Sequence, residues 1–117
     1  MAQLLNLASA LEMLGGEKNL LKELLTDFAC GKQFKKEELV RLEQMEDKTE
    51  AAKYVHYFKG AARQIGAEQF AASAQKLEDT LRGRESGNLE ALNEAFEQDL
   101  KAANAAINLA LKAMSTK

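Results

Sequence analysis

The stretch Asp47–Gly66, DKTEAAKYVHYFKGAARQIG, decides the fold because its apolar residues recur at the spacing of one helix face. The residues that cluster on that face of a helical wheel are Ala51, Val55, Phe58 and Ala62. At the start of the stretch, Asp47 predicts an N-cap, and Glu50 three residues later completes a capping-box pattern. At its end, Gly66 suits the left-handed residue that follows a helix. We therefore predict a helix over residues 48–64 with one face in the core.

Apolar stripes of the same period continue on both sides of this stretch. They predict a short helix before Gly15 and Gly16, a second helix from Glu17 to Gly31, a short third segment over 34–45, a fifth helix from Ala67 to about Arg82, and a long last helix from an Asn88 cap to Met114. No segment alternates with the period of a strand, and short connections make successive helices antiparallel neighbours. The prediction is an all-α fold: an up-and-down antiparallel four-helix bundle with one or two extra short helices, in a single domain over residues 1–117.

Composition supports a helical chain and excludes several classes of protein. The 117 residues include twenty alanines and no proline, which favours helices throughout. A net charge of -2, from 16 basic and 18 acidic residues, is not that of a strongly basic nucleic-acid binder. No apolar run approaches the length of a membrane-spanning helix, so we expect no membrane association and a cytoplasmic location. The lone Cys30 cannot form an internal disulfide and is interpreted as a small buried residue.

His56, the only histidine, lies about 100° round the wheel from Val55, beside the predicted core face rather than within it. Lys59, Gly60 and Arg63 share its flank. A glycine inside a helix costs about 1 kcal/mol relative to alanine, so Gly60 indicates that another group approaches the helix closely beside His56. Close packing of a neighbouring helix on Gly60 would fit the same pattern.

The helix after the turn supplies a neighbour for His56. If residues 64–67 form the turn of an antiparallel hairpin, His56, ten residues before Gly66, faces the level of Lys76, with Gln75 and Glu78 as the flanking polar candidates. The carboxylate of Glu78 would accept a hydrogen bond from Nδ1–H of His56 and leave the lone pair of Nε2 facing outward. That arrangement is typical of a nucleophilic histidine. In the alternative, Glu78 pairs with Arg82 four residues on and does not orient His56.

This ordered set of residues resembles the histidine phosphotransfer (HPt) family. That family typically reads His-x-Leu-Lys-Gly-Ala-Ala, then Ile-Gly, then Leu-Glu or Leu-Gln on the following helix. The matching residues here are His56-Tyr57-Phe58-Lys59-Gly60, Ala61-Ala62, Ile65-Gly66-Ala67 and Leu77-Glu78, and Leu14-Gly15-Gly16-Glu17 with Leu24, Leu25 and Phe28 resembles the family's preceding helix. Phe58 departs from the usual leucine or isoleucine. The resemblance covers the chain from about Leu7 to Arg82.

The resemblance implies that His56 accepts a phosphoryl group from the aspartate of one receiver domain and passes it to another. It implies that Lys59 stabilises the phosphoryl oxygens and that Gly60 gives the partner access. Arg63 and Arg82 would add supporting positive charge. The residues expected to bind the partner are Lys53, Tyr57, Gln64 and Gln75.

By the same resemblance the chain is a phosphocarrier rather than an enzyme and has no cofactor of its own. It has no G-x-x-x-x-G-K-[ST] nucleotide-binding pattern. The Mg²⁺ and the aspartate would belong to the receiver domain of a response regulator or of a hybrid histidine kinase. We expect a monomer that exposes His56 to these partners.

The sequence argues against metal sites and leaves two other functions open. A di-iron bundle needs paired Glu-x-x-His motifs, but Lys53 stands three residues before His56, and zinc needs more than one Cys and one His; no metal site is predicted. A bundle that binds receiver domains or other partners noncovalently, without phosphotransfer, stays open. So does the phosphotransfer domain of a chemotaxis-type histidine kinase, although such domains usually carry an aromatic residue before the second glycine, where this chain has Ile65.

Overall fold

The computed structural model describes residues 3–31 and 33–115, and these ranges contain six α-helices and no strand. The helices are α1 (Leu7–Met13), α2 (Lys18–Cys30), α3 (Lys36–Glu43), α4 (Thr49–Gln64), α5 (Glu68–Leu81) and α6 (Leu89–Ser115). The prediction of an all-α fold is confirmed. In the same ranges no helix has both the length and the apolar character that crossing a membrane requires.

The four long helices α2, α4, α5 and α6 form a bundle, and the short helices α1 and α3 lie against it. The most extensive pair is α4 with α5, while α6 packs on both α5 and α2. Side-chain bonds tie α5 to α6: Gln69 donates to Asp99 Oδ1 at 2.8 Å, and Ser73 donates to Asp99 Oδ2. The predicted four-helix bundle with two extra short helices therefore describes the observed architecture.

The turn between α4 and α5 has the geometry that its glycine predicts. Gly66 has a φ of 74°, in the left-handed region, and the Ala67 amide donates to the Ala62 carbonyl at 2.9 Å. The chain before α1 crosses this turn, and the Asn6 amide donates to the Gly66 carbonyl at 2.7 Å. A side chain at position 66 would collide with the Asn6 backbone. The turn is thus held from both directions, which fixes α5 against α4.

The two predicted N-caps have different outcomes. Asn88 caps α6, since its side chain accepts a hydrogen bond from the Ala91 amide at 3.0 Å. The capping box at α4 is wrong in detail: Lys48 is the N-cap residue, and Asp47 instead accepts from the Thr49 amide at 2.9 Å. Glu50 does not close the box, because it forms an ion pair with Lys53 at 3.2 Å.

The core is built around an aromatic cluster between α2, α4, α5 and α6. Phe70 and Phe96 are completely buried, with ring centroids 4.8 Å apart, and Phe58 packs at a right angle against Phe34 at 5.9 Å. Burying a side chain of this size stabilises a fold by about 1.5–3 kcal/mol. Cys30 does not join this core and is exposed, so that prediction is wrong. It is the last residue of α2 and lies off the stripe that Leu21 and Leu25 bury.

Candidate functional site

His56 projects from the middle of α4 and is held on one side by a buried carboxylate of α5. Its Nδ1 lies 3.2 Å from Glu78 Oε1 and 3.1 Å from Glu78 Oε2. The imidazole is 58% exposed, whereas the Glu78 side chain is only 3% exposed. The hairpin register therefore places these two side chains opposite each other, as the sequence predicts.

Glu78 is also bound by two cations. Lys59 Nζ lies 2.6 Å from Glu78 Oε1, and Arg82 Nε donates to Glu78 Oε2 at 2.8 Å. The pairing of Glu78 with Arg82, which the sequence offers as an alternative to its contact with His56, thus occurs together with that contact. One carboxylate shared by a lysine and an arginine leaves this cluster with a net positive charge beside the imidazole.

The surroundings of Glu78 fix its charge. Burial alone would raise the pKa of this carboxyl, but hydrogen bonds from Lys59, Arg82 and His56 and the charge of Lys59 lower the pKa from 4.5 to about 2. Glu78 is therefore ionised at neutral pH and can only accept hydrogen bonds.

An ionised Glu78 determines which nitrogen of His56 is free. Because the carboxylate accepts at Nδ1, a neutral imidazole carries its proton there, and the lone pair belongs to Nε2. The exposed ring keeps Nε2 open to a visiting electrophile. The pair can therefore present a neutral nitrogen nucleophile in a fixed orientation.

Lys59 is buried, although the sequence places it on the same flank of α4 as the exposed His56. Its side chain is only 8% exposed and points into the α4–α5 interface, where it contacts Glu78 and donates to Gln75 Oε1 at 3.2 Å. The same Gln75 oxygen accepts a hydrogen bond from Arg63 Nη2, also at 3.2 Å. Gln75 thus joins a buried cation to an exposed one, and Arg63 has no carboxylate partner among the described residues.

Gly60 lies one turn after His56 on the exposed surface of α4. Apart from its chain neighbours and the backbone of its own helix, a Cβ built on it would meet no described atom within 4 Å. Packing of a neighbouring helix of this chain therefore does not explain the glycine. Its effect is to leave a bare strip of backbone between His56 and Arg63.

The comparisons with known proteins identify the family. The family model of the Hpt domain matches residues 1–116, which is essentially the whole chain. The chain belongs to the Hpt domain family. No significant match was found among curated proteins or among solved structures. Hpt domains carry phosphoryl groups on histidine in phosphorelays and interact with the receiver domains of two-component systems.

The one departure of this Hpt domain from the family pattern has a structural reason. Phe58 stands where leucine or isoleucine is usual, and its ring packs edge to face against Tyr54 at 5.3 Å and Phe96 at 6.2 Å. Phe34 completes the cluster. An aliphatic residue would lose these aromatic contacts, so the larger ring suits the composition of this particular core.

Of the four residues expected to bind a partner of the Hpt domain, three are exposed on α4 and one is half-buried on α5. Lys53, Tyr57 and Gln64 are exposed on α4, and Tyr57 packs its ring against Phe58 at 5.2 Å. Gln75 is half-buried and is engaged by Lys59 and Arg63, so its side chain is already part of the charge network.

The charge network around Gln75 extends further than the sequence motifs indicate, to Asp79 and Arg84. Gln75 Nε2 donates to Asp79 Oδ1 at 2.9 Å, and Arg84 Nη1 donates to the same oxygen at 3.1 Å. The spacing of Gln75 and Asp79, four residues on one helix, is the signal that could have indicated it. Across residues 3–31 and 33–115, no three His, Cys, Asp or Glu side chains come together where they could hold a metal ion.

Proposed function

We propose that this Hpt domain shuttles a phosphoryl group between receiver-domain aspartates, with His56 Nε2 as the phosphoacceptor. The observation that carries the proposal is the pairing of an exposed imidazole with a buried, ionised carboxylate: Glu78 holds Nδ1 and leaves Nε2 free. A bundle that only binds a partner needs neither the fixed tautomer nor the open nitrogen.

In the proposed step, the Nε2 lone pair attacks phosphorus of an aspartyl phosphate in line with the bond to be broken. A bond forms from Nε2 to phosphorus, the phosphorus–oxygen bond breaks, and the electron pair leaves with the aspartate carboxylate. The proton on Nδ1 stays between the ring and Glu78, which offsets the positive charge that develops on the imidazole. Transfer to the second receiver runs the same step in reverse.

Positioning and charge are most of what phosphoryl transfer asks of a protein. Lys59 and Arg82 together carry one positive charge more than Glu78 neutralises. This excess charge lies close to His56 and therefore stabilises the negative phosphoryl oxygens there. Lys59 acts from within the helix interface rather than as a free surface group, because it is buried against Glu78. Arg63 adds charge at the exposed side.

The partner supplies what the chain does not. We propose that the receiver domain brings its own aspartate and Mg²⁺, that the bare surface at Gly60 lets its pocket close over His56, and that the chain is a carrier rather than an enzyme. The proposed docking surface is the exposed part of α4 beside His56, with Lys53, Tyr57, Gln64 and the edge formed by Gln75. We further propose that the protein is monomeric and cytoplasmic, because the carrier has to present His56 to two partners in turn.

The test is phosphoryl exchange with purified receiver domains. Receivers phosphorylated with radiolabelled acetyl phosphate are mixed with the wild-type chain and with His56→Gln, and label on the chain is measured after acid and alkali treatment. We expect the wild type to gain acid-labile, alkali-stable label and His56→Gln to gain none. The glutamine keeps a polar side chain of similar length at an exposed position, and Lys59 and Arg82 still bind Glu78, so the variant should remain folded.

Two results would contradict the proposal. Acid-labile label retained by His56→Gln would place the phosphoryl group on another residue. A wild-type chain that binds receivers, takes no label and binds equally well without His56 would identify a noncovalent binding module instead.

A further inference from the structure

Resting on the proposed role of His56, we propose that Arg63 is a phosphoryl-binding residue: it leaves Gln75, lies across the bare surface of Gly60 and pairs with the phosphoryl oxygens on His56. Arg63 would then do more than add positive potential near His56: its guanidinium would contact the phosphoryl oxygens directly, and its side chain would reach them across Gly60. Three features of the structure support it: the alignment of the residues, the present partner of Arg63 and the open surface between them.

The first feature is alignment. Arg63 comes seven positions after His56, which is a rotation of about 700°, so the two side chains leave α4 within about 20° of the same direction. They are about 10 Å apart along the axis. Side chains of an α-helix point back toward its N-terminus, so the natural direction of Arg63 is toward His56.

The second feature is where Arg63 rests. Gln75 also contacts Lys59, one turn nearer to His56 than Arg63 is, and Arg63 reaches the same Gln75 oxygen at 3.2 Å. The Arg63 guanidinium therefore lies about one helical turn closer to His56 than the Arg63 backbone does. Its anchor is a neutral amide oxygen, which is a weaker partner than a phosphoryl group that can accept two parallel hydrogen bonds from a guanidinium.

The other cations of the site are less free to move. Lys59 and Arg82 both bind the buried Glu78 carboxylate, and Lys59 is itself buried. Withdrawing either would leave a buried charge with fewer partners, which is costly. Arg63 gives up only one hydrogen bond to Gln75, so of these three cations it is the one that phosphorylation can recruit at the smallest cost.

The third feature is the open path. Gly60 stands between His56 and Arg63 in the same row, and a Cβ there would meet no described atom within 4 Å outside its chain neighbours and the backbone of α4. The surface is therefore bare where an extended arginine side chain would lie. A large side chain at position 60 would occupy that path while leaving every charge of the site in place.

The test measures the charge environment of the phosphoryl group without any receiver domain. Phosphoramidate modifies His56 as ammonia leaves phosphorus, and a phosphorus NMR titration then gives the pKa of the bound phosphoryl group. A guanidinium in contact lowers the pKa of an acidic group by about one unit or more. We expect this pKa to rise by about one unit in Arg63→Gln, by less in Arg63→Lys, and by about as much in Gly60→Leu as in Arg63→Gln.

Lys76→Gln is the matched control. Lys76 is an exposed cation of α5 two residues before Glu78, and it therefore lies about 160° round that helix from the carboxylate that faces His56. Its removal changes the net charge as Arg63→Gln does, and the phosphoryl pKa should stay at the wild-type value. Equal shifts in the two variants would mean general potential rather than contact, and would overturn the proposal.

The outcomes separate this inference from the proposed function. If receivers transfer no label but the phosphoryl pKa depends on Arg63 and on an open position 60, the inference stands and the shuttle is refuted. If receivers exchange label normally but the phosphoryl pKa is the same in the wild type, Arg63→Gln and Gly60→Leu, the shuttle stands and the inference is refuted.

Discussion

At the scale of single residues, Glu78 determines the chemistry of the site. Three groups share its two oxygens: His56, Lys59 and Arg82. A glutamine there could still accept a hydrogen bond from His56, but it would leave Lys59 buried without a negative charge. The carboxylate therefore sets the tautomer of His56 and also neutralises the helix interface.

This dual role predicts an acid-sensitive fold. The folded-state pKa of Glu78, about 2, lies below its ordinary 4.5, so the ionised carboxylate stabilises the fold above pH 4.5, and that stabilisation is lost as the pH falls from 4.5 toward 2. This shift of the Glu78 pKa corresponds to a contribution of about 3 kcal/mol to the free energy of unfolding. Glu78→Gln should lack this part of the acid dependence. At neutral pH the free energy of unfolding of this variant should be lower than that of the wild type by about 3–5 kcal/mol, because Lys59 stays buried without its partner.

Urea unfolding followed by circular dichroism, from neutral pH down to about pH 2, measures both effects. Asp79→Asn is the control, since it removes the neighbouring carboxylate and leaves Glu78 in place. That variant should keep the acid dependence of the wild type. An acid dependence in Glu78→Gln as steep as that of the wild type would show that another group causes it.

At the scale of elements, α4 contains one glycine inside the helix and is followed by another two residues after its end, and the two glycines have opposite requirements. Gly60 is exposed in a helical conformation with free space around it, whereas Gly66 has a positive φ and lies against the Asn6 backbone. The same substitution at the two positions therefore tests two different physical effects.

Gly60→Ala should stabilise the protein and slow phosphotransfer. Alanine is favoured over glycine in an exposed helix interior by about 1 kcal/mol, and no described atom opposes the added methyl. The methyl would, however, stand where the receiver pocket is proposed to close. Thermal unfolding and the rate of label transfer from a receiver measure the two effects. A stabilised variant that transfers at the wild-type rate would show that no partner approaches so closely.

Gly66→Ala should destabilise the protein by more than about 1 kcal/mol. An alanine has to adopt the left-handed φ of 74° and collides with the Asn6 backbone, which donates to the Gly66 carbonyl. Thermal unfolding beside Gly60→Ala makes the comparison. Unchanged stability would mean that the segment before α1 moves away from the turn at little cost.

The helices themselves could be predicted from sequence, since periodicity and glycine placement depend on local spacing. The same register also predicted the contact between His56 and Glu78, because a short turn fixes which residues of two antiparallel helices face each other. Details that depend on competition between partners could not be predicted in this way. Glu50 had two possible roles and forms an ion pair with Lys53 rather than a capping box. Lys59 is ordinary in sequence, yet it is buried because Glu78 neutralises it.

At the scale of the whole molecule, a second buried glutamate, Glu43, makes the stability of the fold depend on pH in the opposite direction to Glu78. Glu43, at the end of α3, accepts a hydrogen bond from Asn93 of α6 at 2.7 Å. Burial raises its pKa, against the hydrogen bond from Asn93 and the charge of Lys48. Glu43 Oε2 and Asn93 Oδ1, both acceptors, have no hydrogen-bond partner among the described residues. Glu43 and Asn93 are fifty positions apart in the sequence, which explains why no local pattern predicted this link.

Glu43→Gln should therefore stabilise the protein at neutral pH. The folded-state pKa of Glu43 lies above 4.5, so its contribution is present below pH 4.5 and is lost as the pH rises through the raised value. A glutamine carries no charge into the core and supplies an amide donor that Asn93 Oδ1 lacks, a gain of about 1 kcal/mol. Urea unfolding should show this gain at neutral pH and a smaller one in acid. Loss of stability at neutral pH would mean that attraction to Lys48 outweighs burial.

The exposed thiol at the end of α2 has a practical consequence for experiments on the whole molecule. Cys30 is the only cysteine and belongs to a helix that supplies no group to the contacts around His56 and Glu78. A maleimide dye can therefore be attached at one defined place, without engineering, to follow docking by fluorescence. The same accessibility lets air oxidation couple two chains through a disulfide, so measurements of molecular size need a reductant before a dimer is taken to be native.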